Sequence, residues 1–439
     1  MKRRILNDLR AWKNQAQRKP LILMGARQVG KTFALKQFGE QEYTNTIYLN
    51  FEGNPRLCKL FDFGLEPKII LKSLTIEMQA EIIAGKTLII FDEIQECPNA
   101  LNSLKYFCED APEHHIVAAG SLLGVKLAHI KGFPVGKVQF LTLYPLSFFE
   151  FLQAFNEHKL IDFINEQKTT EPLFENLHEK LLTYFKEYLF IGGMPEAILE
   201  YINTQDVYKV REIQTAILNA YALDFAKHVP REHIMRINQI WTSIPSQLAK
   251  ENKKFIYSTI RTGARAKEFE VALQWLIEAG LLLKTSLITT PKIPLSAYAD
   301  TSAFKIYLID VGLLGAMSNL AANTLLHENA LFQEFRGAIV ENYVAQELVH
   351  SNFPLFYWAS QGKAELDFII EDNGVIYPLE VKSGNSCKKK SLRIYANNYH
   401  PKMLIRCSPM NLKKDDDILN CPLYLVEKLR SFLPTSNIF

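Results

Sequence analysis

The chain has 439 residues, of which 48% are hydrophobic and 22% are charged, and its formal net charge is +3. This composition is typical of globular proteins and excludes the disordered and collagen-like classes, while the length accommodates about two to four domains. A net charge this small does not by itself indicate a nucleic-acid partner.

The six cysteines are scattered, without a Cys-x-x-Cys pair or a zinc-like spacing with histidine. This pattern predicts free thiols in a reducing compartment. The basic N-terminus is not followed by an apolar run, so it does not resemble a signal peptide. Apolar runs also stay well short of the ~20 residues that a membrane-spanning helix needs. We expect a cytoplasmic protein without a membrane partner.

The first motif follows a short apolar strand at residues 21–24. GARQVGKT fits G-x-x-x-x-G-K-[ST] at every position, and a helix-like run comes next. The glycines allow backbone N–H groups to surround a phosphate, Lys31 contacts the β- and γ-phosphates of ATP, and Thr32 binds Mg²⁺. The predicted nucleotide-binding residues here are Gly25, Ala26, Arg27, Gln28, Val29, Gly30, Lys31, Thr32 and Phe33.

Two later strands end in polar residues. LIIFDEIQ, residues 88–95, is an apolar run typical of a buried central strand, and it ends in Asp92 and Glu93. These positions predict Asp92 in the Mg²⁺ shell and Glu93 as the group that polarises the attacking water. HIVAAGS ends in Ser121, which is placed to contact the γ-phosphate or that water. Strands alternating with helices predict a parallel α/β sheet.

The motifs GARQVGKT, LIIFDEIQECP, AAGSLLG and FPVGKVQFLTLYPLSFFEFL resemble those of prokaryotic AAA-type ATPases that carry a C-terminal domain called DUF4143. YLFIGGMPEAI and KIYLIDVGLLGAM agree, so the resemblance covers nearly the whole chain. Relatives carry arginine after the residue matching Gly136, where this chain has Lys137. If that arginine senses the γ-phosphate, lysine keeps the charge but loses the planar fork.

The middle of the chain has apolar residues at helical spacing, which predicts a helical lid over residues 151–230. Residues 231–295 resemble a winged helix, with its second main helix at 266–279 and basic residues nearby. Two interpretations stay open for these basic residues, namely contacts with DNA phosphates or a solvated surface of a packing module.

Near the C-terminus, AELDFIIEDNGVIYPLEVKSG predicts a hairpin around Asn373-Gly374. A two-residue loop places Asp372 opposite Val375, and counting back places Asp367 opposite Glu380. Like charges at opposite positions are destabilising unless a cation lies between them. The alternative is a solvent-exposed face on which the two acids tolerate each other.

Asp367 followed after 12 residues by Glu-Val-Lys resembles the PD-(D/E)xK nuclease pattern, with an upstream helix at 335–351 that carries Glu341. The resemblance implies Asp367 and Glu380 as ligands of a second divalent metal, Lys382 as the catalytic lysine and Glu341 as an auxiliary acid. Leu366 stands where the motif has its proline.

We therefore predict an α/β protein: a P-loop AAA-type ATPase domain (1–150), a helical lid (151–230), a winged-helix-like domain (231–295) and a restriction-endonuclease-like α/β domain (296–439). The predicted function is Mg²⁺-dependent ATP binding and hydrolysis, coupled to a metal-dependent nuclease that acts on DNA or RNA. The alternative is a nucleotide-dependent switch whose C-terminal domain is a non-catalytic DNA- or protein-binding module. The oligomeric state stays open.

Overall fold

A computed structural model of the chain describes residues 1–121, 133–250, 253–322, 324, 333–360, 362, 364–384 and 390–434. The chain divides into two compact units. The first comprises Met1–Tyr144 with Glu278–Gly280, and the second comprises Pro145–Ile277 with Leu281–Phe439.

The first unit is built on a five-stranded parallel sheet in the order β2-β3-β4-β1-β5. Its strands are β1 Leu21–Met24, β2 Asn45–Asn50, β3 Thr87–Asp92, β4 His115–Ala119 and β5 Gln139–Thr142. Its helices are α1 Ile5–Lys13, α2 Lys31–Glu42, α3 Pro55–Cys58, α4 Pro67–Met78 and α5 Pro98–Asp110. The predicted parallel α/β sheet is confirmed.

The strand order decides where the functional side chains of this unit meet. Every residue of β3 and β4 is buried, as expected for central parallel strands covered on both faces. Because β4 lies between β1 and β3, Ser121 after β4 comes between the loop after β1 and the acids Asp92 and Glu93 at the end of β3. The carboxyl ends of parallel strands form the edge at which α/β sheets bind ligands.

The second unit begins with a series of helices. They are α6 Phe148–Ala154, α7 His158–Glu166, α8 Glu175–Ile191, α9 Pro195–Thr204, α10 Val207–His228, α11 Arg231–Leu248 and α12 Ala266–Glu278. A capping box starts α6, in which Ser147 and Glu150 each bond the other's backbone N–H. Gly192 and Gly193 separate α8 from α9, and a Cβ at Gly192 would lie 2.3 Å from Asp310 Oδ1.

The second unit also holds a mixed sheet of eight strands in the order β12-β13-β11-β10-β9-β8-β6-β7. The strands are β6 Leu282–Ile288, β7 Ala299–Leu308, β8 Phe356–Ser360, β9 Ala364–Asp372, β10 Val375–Val381, β11 Leu404–Ser408, β12 Lys413–Asp415 and β13 Ile418–Pro422. Its further helices are α13 Val311–Met317, α14 Gln333–His350, α15 Lys390–Tyr399 and α16 Leu429–Phe432.

The hairpin of β9 and β10 has the predicted register, with Asp372 opposite Val375 and each further pair in step as far as Phe368 opposite Leu379. On the face predicted to carry the acids, Glu380 is nevertheless buried and only 6% exposed, while Asp367 is partly exposed. The interpretation of the acidic face as a solvent face is therefore wrong for Glu380. The tertiary packing around β10, and not the hairpin itself, removes this carboxylate from water.

The helix predicted at residues 266–279 is present as α12. The strands that follow it, β6 and β7, pair with each other, and β6 also pairs with β8 of the large sheet. The winged helix and the domain boundaries at 230/231 and 295/296 stay predictions.

Five cysteines are free thiols, namely Cys58, Cys97, Cys108, Cys407 and Cys421, while Cys387 lies outside the described residues. Within the described ranges, no helix combines the length and the apolar character that crossing a bilayer would require.

Candidate nucleotide-binding site and C-terminal acidic cluster

The loop between β1 and α2 has a backbone that requires glycine. Gly25 has φ +143°, and a Cβ there would lie 2.2 Å from the carbonyl oxygen of Leu143. Gly30 has φ +92° and caps the start of α2. The loop thus leads into a helix N-terminus, whose free N–H groups and dipole favour an anion such as a phosphate.

Lys31 lies at the start of α2 and folds back over its own loop. Its Nζ donates to the carbonyl oxygens of Gly25 (2.9 Å) and Ala26 (2.8 Å). Burial lowers the pKa of Lys31 to about 8, although the carboxylates of Glu93 and Asp92 oppose this shift. The ammonium is thus held at the loop, where a phosphate can replace the two carbonyls as its partner.

Asp92 accepts two hydrogen bonds on one carboxylate oxygen. Thr32 Oγ1 donates to Asp92 Oδ2 at 2.6 Å, and the Tyr48 hydroxyl donates to the same oxygen at 2.8 Å. Burial and the bond to Asp92 raise the pKa of Tyr48, so its hydroxyl stays a neutral donor. The Thr32 hydroxyl and the Asp92 carboxylate form a pair of hard oxygen ligands that suits Mg²⁺.

Glu93 and Ser121 are joined at the ends of β3 and β4. Ser121 donates to Glu93 Oε2 from its backbone N–H (3.2 Å) and from its hydroxyl (3.0 Å), and Gln95 donates to the same oxygen. Arg27 Nε in turn donates to Ser121 Oγ at 3.0 Å. The structure therefore links three predicted site residues, Arg27, Ser121 and Glu93, into one chain of hydrogen bonds.

The other predicted loop residues differ in their surroundings. Ala26 and Val29 are buried, Gln28 has φ +66°, and the Phe33 ring is 54% exposed. Arg3, which no motif indicated, donates to the Val29 carbonyl at 2.9 Å and anchors the loop.

Lys137 forms an exposed ion pair with Glu109 at 2.8 Å. This ion pair links the Lys137 side chain to α5, the helix that carries Glu109.

In the second unit, Asp367, Glu380 and Lys382 lie together on β9 and β10. Asp367 Oδ2 accepts a hydrogen bond from the backbone N–H of Val381 at 2.7 Å, which brings its carboxylate across to the residue next to Glu380. Lys382 Nζ lies 2.5 Å from Glu380 Oε1. Glu380 Oε2 is buried and lacks a hydrogen-bond partner among the described residues.

Glu341 on α14 is surrounded by donors that the motif did not include. Lys305 Nζ lies 3.4 Å from Glu341 Oε1, while Lys253 and the Tyr307 hydroxyl also bond the Glu341 carboxylate. Lys305 is 1% exposed and makes a second ion pair, with Glu365 Oε1 at 2.6 Å. Burial alone would lower the pKa of Lys305, but Glu341 and Glu365 raise it, so the ammonium stays charged.

Asp367 and Glu341 of this cluster have opposite pKa shifts. Burial, together with the charge of Glu341, raises the pKa of Asp367 to about 7. For Glu341, burial is outweighed by Lys253 and Lys305, which lower its pKa to about 2. Glu341 is thus a carboxylate that already has its cations, whereas Asp367 is a carboxyl in need of one.

At the acidic cluster of the second unit, at most two carboxylates are placed to bind a cation. In the part of the chain that the structure describes, no group of three or more His, Cys, Asp and Glu side chains is arranged to hold a metal ion. Asp367 and the unpartnered Glu380 Oε2 supply two hard oxygen ligands, and Glu341 is committed to its ammonium partners.

Family models match three segments of the chain. Residues 17–152 match an AAA domain, residues 182–324 a domain of unknown function (DUF8612), and residues 336–425 a domain of unknown function (DUF4143). The chain carries an AAA domain followed by a DUF4143 domain. The resemblance drawn from the motifs is confirmed at this level, whereas the PD-(D/E)xK assignment of the DUF4143 domain stays a prediction.

Several solved structures are similar at low identity. A Walker-type ATPase of Pyrococcus abyssi has 14% identity and a TM-score of 0.45, covering 71% of this chain and 95% of its own. The Aeropyrum pernix ORC1 protein in complex with DNA has 13% identity and a TM-score of 0.29, covering 72% and 90%. AMPPCP-bound DnaA from Aquifex aeolicus has 14% identity and a TM-score of 0.28, covering 62% and 85%. No curated protein matches the chain.

Several residues of both sites escaped the sequence motifs. In the AAA domain they are Arg3 and Tyr48, which contact the loop and Asp92 through the fold and not through sequence spacing. At the DUF4143 acids they are Lys253, Lys305 and Tyr307. Of these three, Lys305 could have been found from the sequence, because it is a charged residue within the apolar run AFKIYLI of a largely buried strand.

Proposed function

We propose that the AAA domain binds ATP with Mg²⁺ and hydrolyses it. The observation that carries this proposal is the hydrogen bond of 2.6 Å between Thr32 Oγ1 and Asp92 Oδ2, beneath a loop whose lysine is held at its own carbonyls. This arrangement brings the two predicted Mg²⁺ ligands together from positions 60 residues apart in sequence. Bound Mg²⁺ would neutralise phosphate charge and orient the phosphates.

Each residue of this site has a defined task in the proposed reaction. Lys31 exchanges its bonds to Gly25 and Ala26 for phosphate oxygens, and the N–H groups at the start of α2 bind the same anion. Glu93, oriented by Ser121, holds the attacking water and accepts its proton as the bond from water oxygen to the γ-phosphorus forms and the bond to ADP breaks.

Two variants test this proposal. Lys31→Ala should lose binding of a fluorescent ATP analogue, since the loop loses the ammonium that contacts the β- and γ-phosphates. Glu93→Gln should bind the analogue normally and release phosphate at less than about a hundredth of the wild-type rate, as expected for a lost general base. Glu96→Gln, an exposed acid three residues further on, serves as the control. Normal phosphate release by both test variants would refute the assignment.

We further propose that the DUF4143 domain cleaves phosphodiester bonds of DNA or RNA with a divalent cation. The supporting observation is the buried, unpartnered Glu380 Oε2, together with the Asp367 carboxylate held beside it and Lys382 at 2.5 Å from Glu380. Asp367 and Glu380 would hold the cation, which would activate water, and Lys382 would position that water. Glu341 would act indirectly, by holding Lys253 and Lys305.

The second candidate, a nucleotide-dependent switch with a non-catalytic module, is favoured by a different observation. The buried ammonium of Lys305 already neutralises Glu341 and Glu365, and a lysine in this position can take the place of a metal ion in a non-catalytic site. Incubating the full chain with labelled single- and double-stranded DNA and RNA, plus Mg²⁺ or Mn²⁺, with and without ATP, separates the two.

Cleavage by the wild type and by Lys390→Ala, but not by Lys382→Ala, would support the nuclease. Lys390 is an exposed lysine at the start of α15 and is therefore a matched control. An absence of cleavage for all these substrates would support the switch.

A further inference from the structure

Arg27 extends from the phosphate-binding loop of the AAA domain to the end of β4, the strand next to β1. Its Nε donates a hydrogen bond to Ser121 Oγ at 3.0 Å, and Ser121 Oγ donates in turn to Glu93 Oε2 at 3.0 Å. Two hydrogen bonds therefore join a guanidinium of the loop to the carboxylate that holds the attacking water in the proposed hydrolysis.

The positive charge of Arg27 also acts on Lys31 of the same loop. Burial lowers the pKa of Lys31 to about 8, and the charge of Arg27 adds to this lowering, whereas Glu93 and Asp92 oppose it. Two cations of one loop thus lie close enough to repel each other, and an anion bound by both offsets this repulsion. The γ-phosphate, which carries charge on three oxygens, is such an anion.

The bond to Ser121 decides which phosphate Arg27 would contact. In an in-line attack the γ-phosphorus lies between the attacking water and the leaving ADP. Because Ser121 bonds Glu93, a guanidinium that reaches Ser121 lies at the γ-phosphate, where the water attacks, and not at the α-phosphate. A guanidinium carries five N–H donors in a planar fork, so one arginine donates to a hydroxyl and to phosphate oxygens together.

We propose that Arg27 is a catalytic residue, which donates hydrogen bonds to oxygens of the γ-phosphate and stabilises their charge in the transition state. This role rests on the ATP hydrolysis proposed above. The water oxygen bonds to the γ-phosphorus, the bond from phosphorus to the bridging oxygen of ADP breaks, and the proton of the water passes to Glu93. Arg27 exchanges neither a proton nor electrons. Because this arginine belongs to the loop of the same chain, a second copy does not need to supply one.

The first test compares turnover with binding in the full chain. Arg27→Ala should lower kcat at least about a hundredfold, as expected when a group that stabilises transition-state charge is lost. Its binding of the fluorescent ATP analogue should weaken no more than about tenfold, the loss of one charge-assisted contact, and this binding also shows that the variant is folded. ADP with aluminium fluoride, which mimics the transferring phosphoryl group, should lose at least about a hundredfold in affinity.

Two further variants serve as controls. Arg56→Ala should keep the wild-type rate, because Arg56 belongs to the same unit, its side chain is 80% exposed and it pairs with Glu77 at 3.6 Å. Ser121→Ala removes the hydroxyl but keeps the backbone N–H and Gln95 as donors to Glu93, so kcat should fall no more than about tenfold. Equal losses of kcat for Arg27→Ala and Ser121→Ala would show that Arg27 acts only through Ser121, and would overturn the proposal. So would a wild-type kcat of Arg27→Ala, or an unchanged affinity of this variant for ADP with aluminium fluoride.

A mixture of two inactive variants tests whether the arginine acts within its own chain. Arg27→Ala combined with Glu93→Gln should stay inactive. Phosphate release above the sum of the two separate variants would show that an arginine of one copy serves the site of another, and would overturn the proposal. The hydrolysis itself is judged separately: if Lys31→Ala and Glu93→Gln lose phosphate release while Arg27→Ala keeps it, the proposed hydrolysis stands and Arg27 is not a catalytic residue.

Discussion

Replacing Lys305 with methionine would remove the buried cation between two carboxylates of the second unit. Its Nζ lies 2.6 Å from Glu365 Oε1 and 3.4 Å from Glu341 Oε1. Removing one partner of a buried ion pair costs about 3–5 kcal/mol. Because Glu341 keeps Lys253 and Tyr307 as partners and Glu365 is partly exposed, we expect the lower end of that range, about 3 kcal/mol of the free energy of unfolding.

The assay is thermal unfolding of the full chain followed by circular dichroism, with attention to the transition of the second unit. A loss of about 3 kcal/mol should lower the Tm of a unit of this size by roughly 5 °C. Lys284→Met on neighbouring β6 is the control, since its ammonium is only partly buried over the Phe304 ring. Its Tm should change by no more than about 2 °C, as is usual for substitutions near the surface.

A double variant makes the reasoning stricter. Adding Glu341→Gln to Lys305→Met should raise the Tm again, because a neutral amide does not need the missing ammonium, and the two changes should be coupled by about 0.5–3 kcal/mol. If Lys305→Met unfolds at the same temperature as Lys284→Met, then Lys305 is not the counterion that holds these carboxylates.

Three further predictions concern the AAA domain. Burial lowers the pKa of His115 to about 4, below the ordinary value of about 6.5, so the domain should be fully stable above pH 7 and lose about 2 kcal/mol of its free energy of unfolding by pH 5. The urea midpoint of the wild type should therefore be lower at pH 5 than at pH 7, and in His115→Gln the two midpoints should agree; a difference as large as in the wild type would contradict the assignment. Tyr48→Phe removes a donor to Asp92 and should raise the Mg²⁺ concentration for half-maximal ATP hydrolysis about tenfold; an unchanged Mg²⁺ midpoint would show that Tyr48 does not orient this carboxylate. Gly25→Ala places a Cβ against the Leu143 carbonyl and should weaken binding of the ATP analogue at least about tenfold, which normal binding would disprove.

The parts of this protein that follow from local spacing were predictable. The loop at residues 25–32 needs glycines and a lysine at set intervals, and the apolar runs around it have the lengths of buried strands. The register of the β9–β10 hairpin follows from the Asn-Gly turn, because a two-residue loop allows only one register between the flanking strands. Helices α6, α8 and α10 follow in the same way from apolar residues at three- and four-residue spacing.

Other features depend on contacts that sequence spacing does not encode. The order of strands in the sheet places β4 between β1 and β3, and this order brings Ser121 to Glu93. Whether a carboxylate faces water, a metal or an ammonium depends on which distant side chain packs against it. A strand pattern specifies the face on which a residue lies, but not what covers that face.

The sequence by itself therefore determined the AAA loop, its acids and the hairpin that carries Asp367 and Glu380, since turn geometry and backbone periodicity act over a few residues. Only the tertiary structure decided that Lys253 and Lys305 neutralise Glu341. The physical reason is that these charge pairs join residues far apart in the chain, 88 positions in the case of Lys253 and Glu341, which meet only once the sheet and its helices have packed.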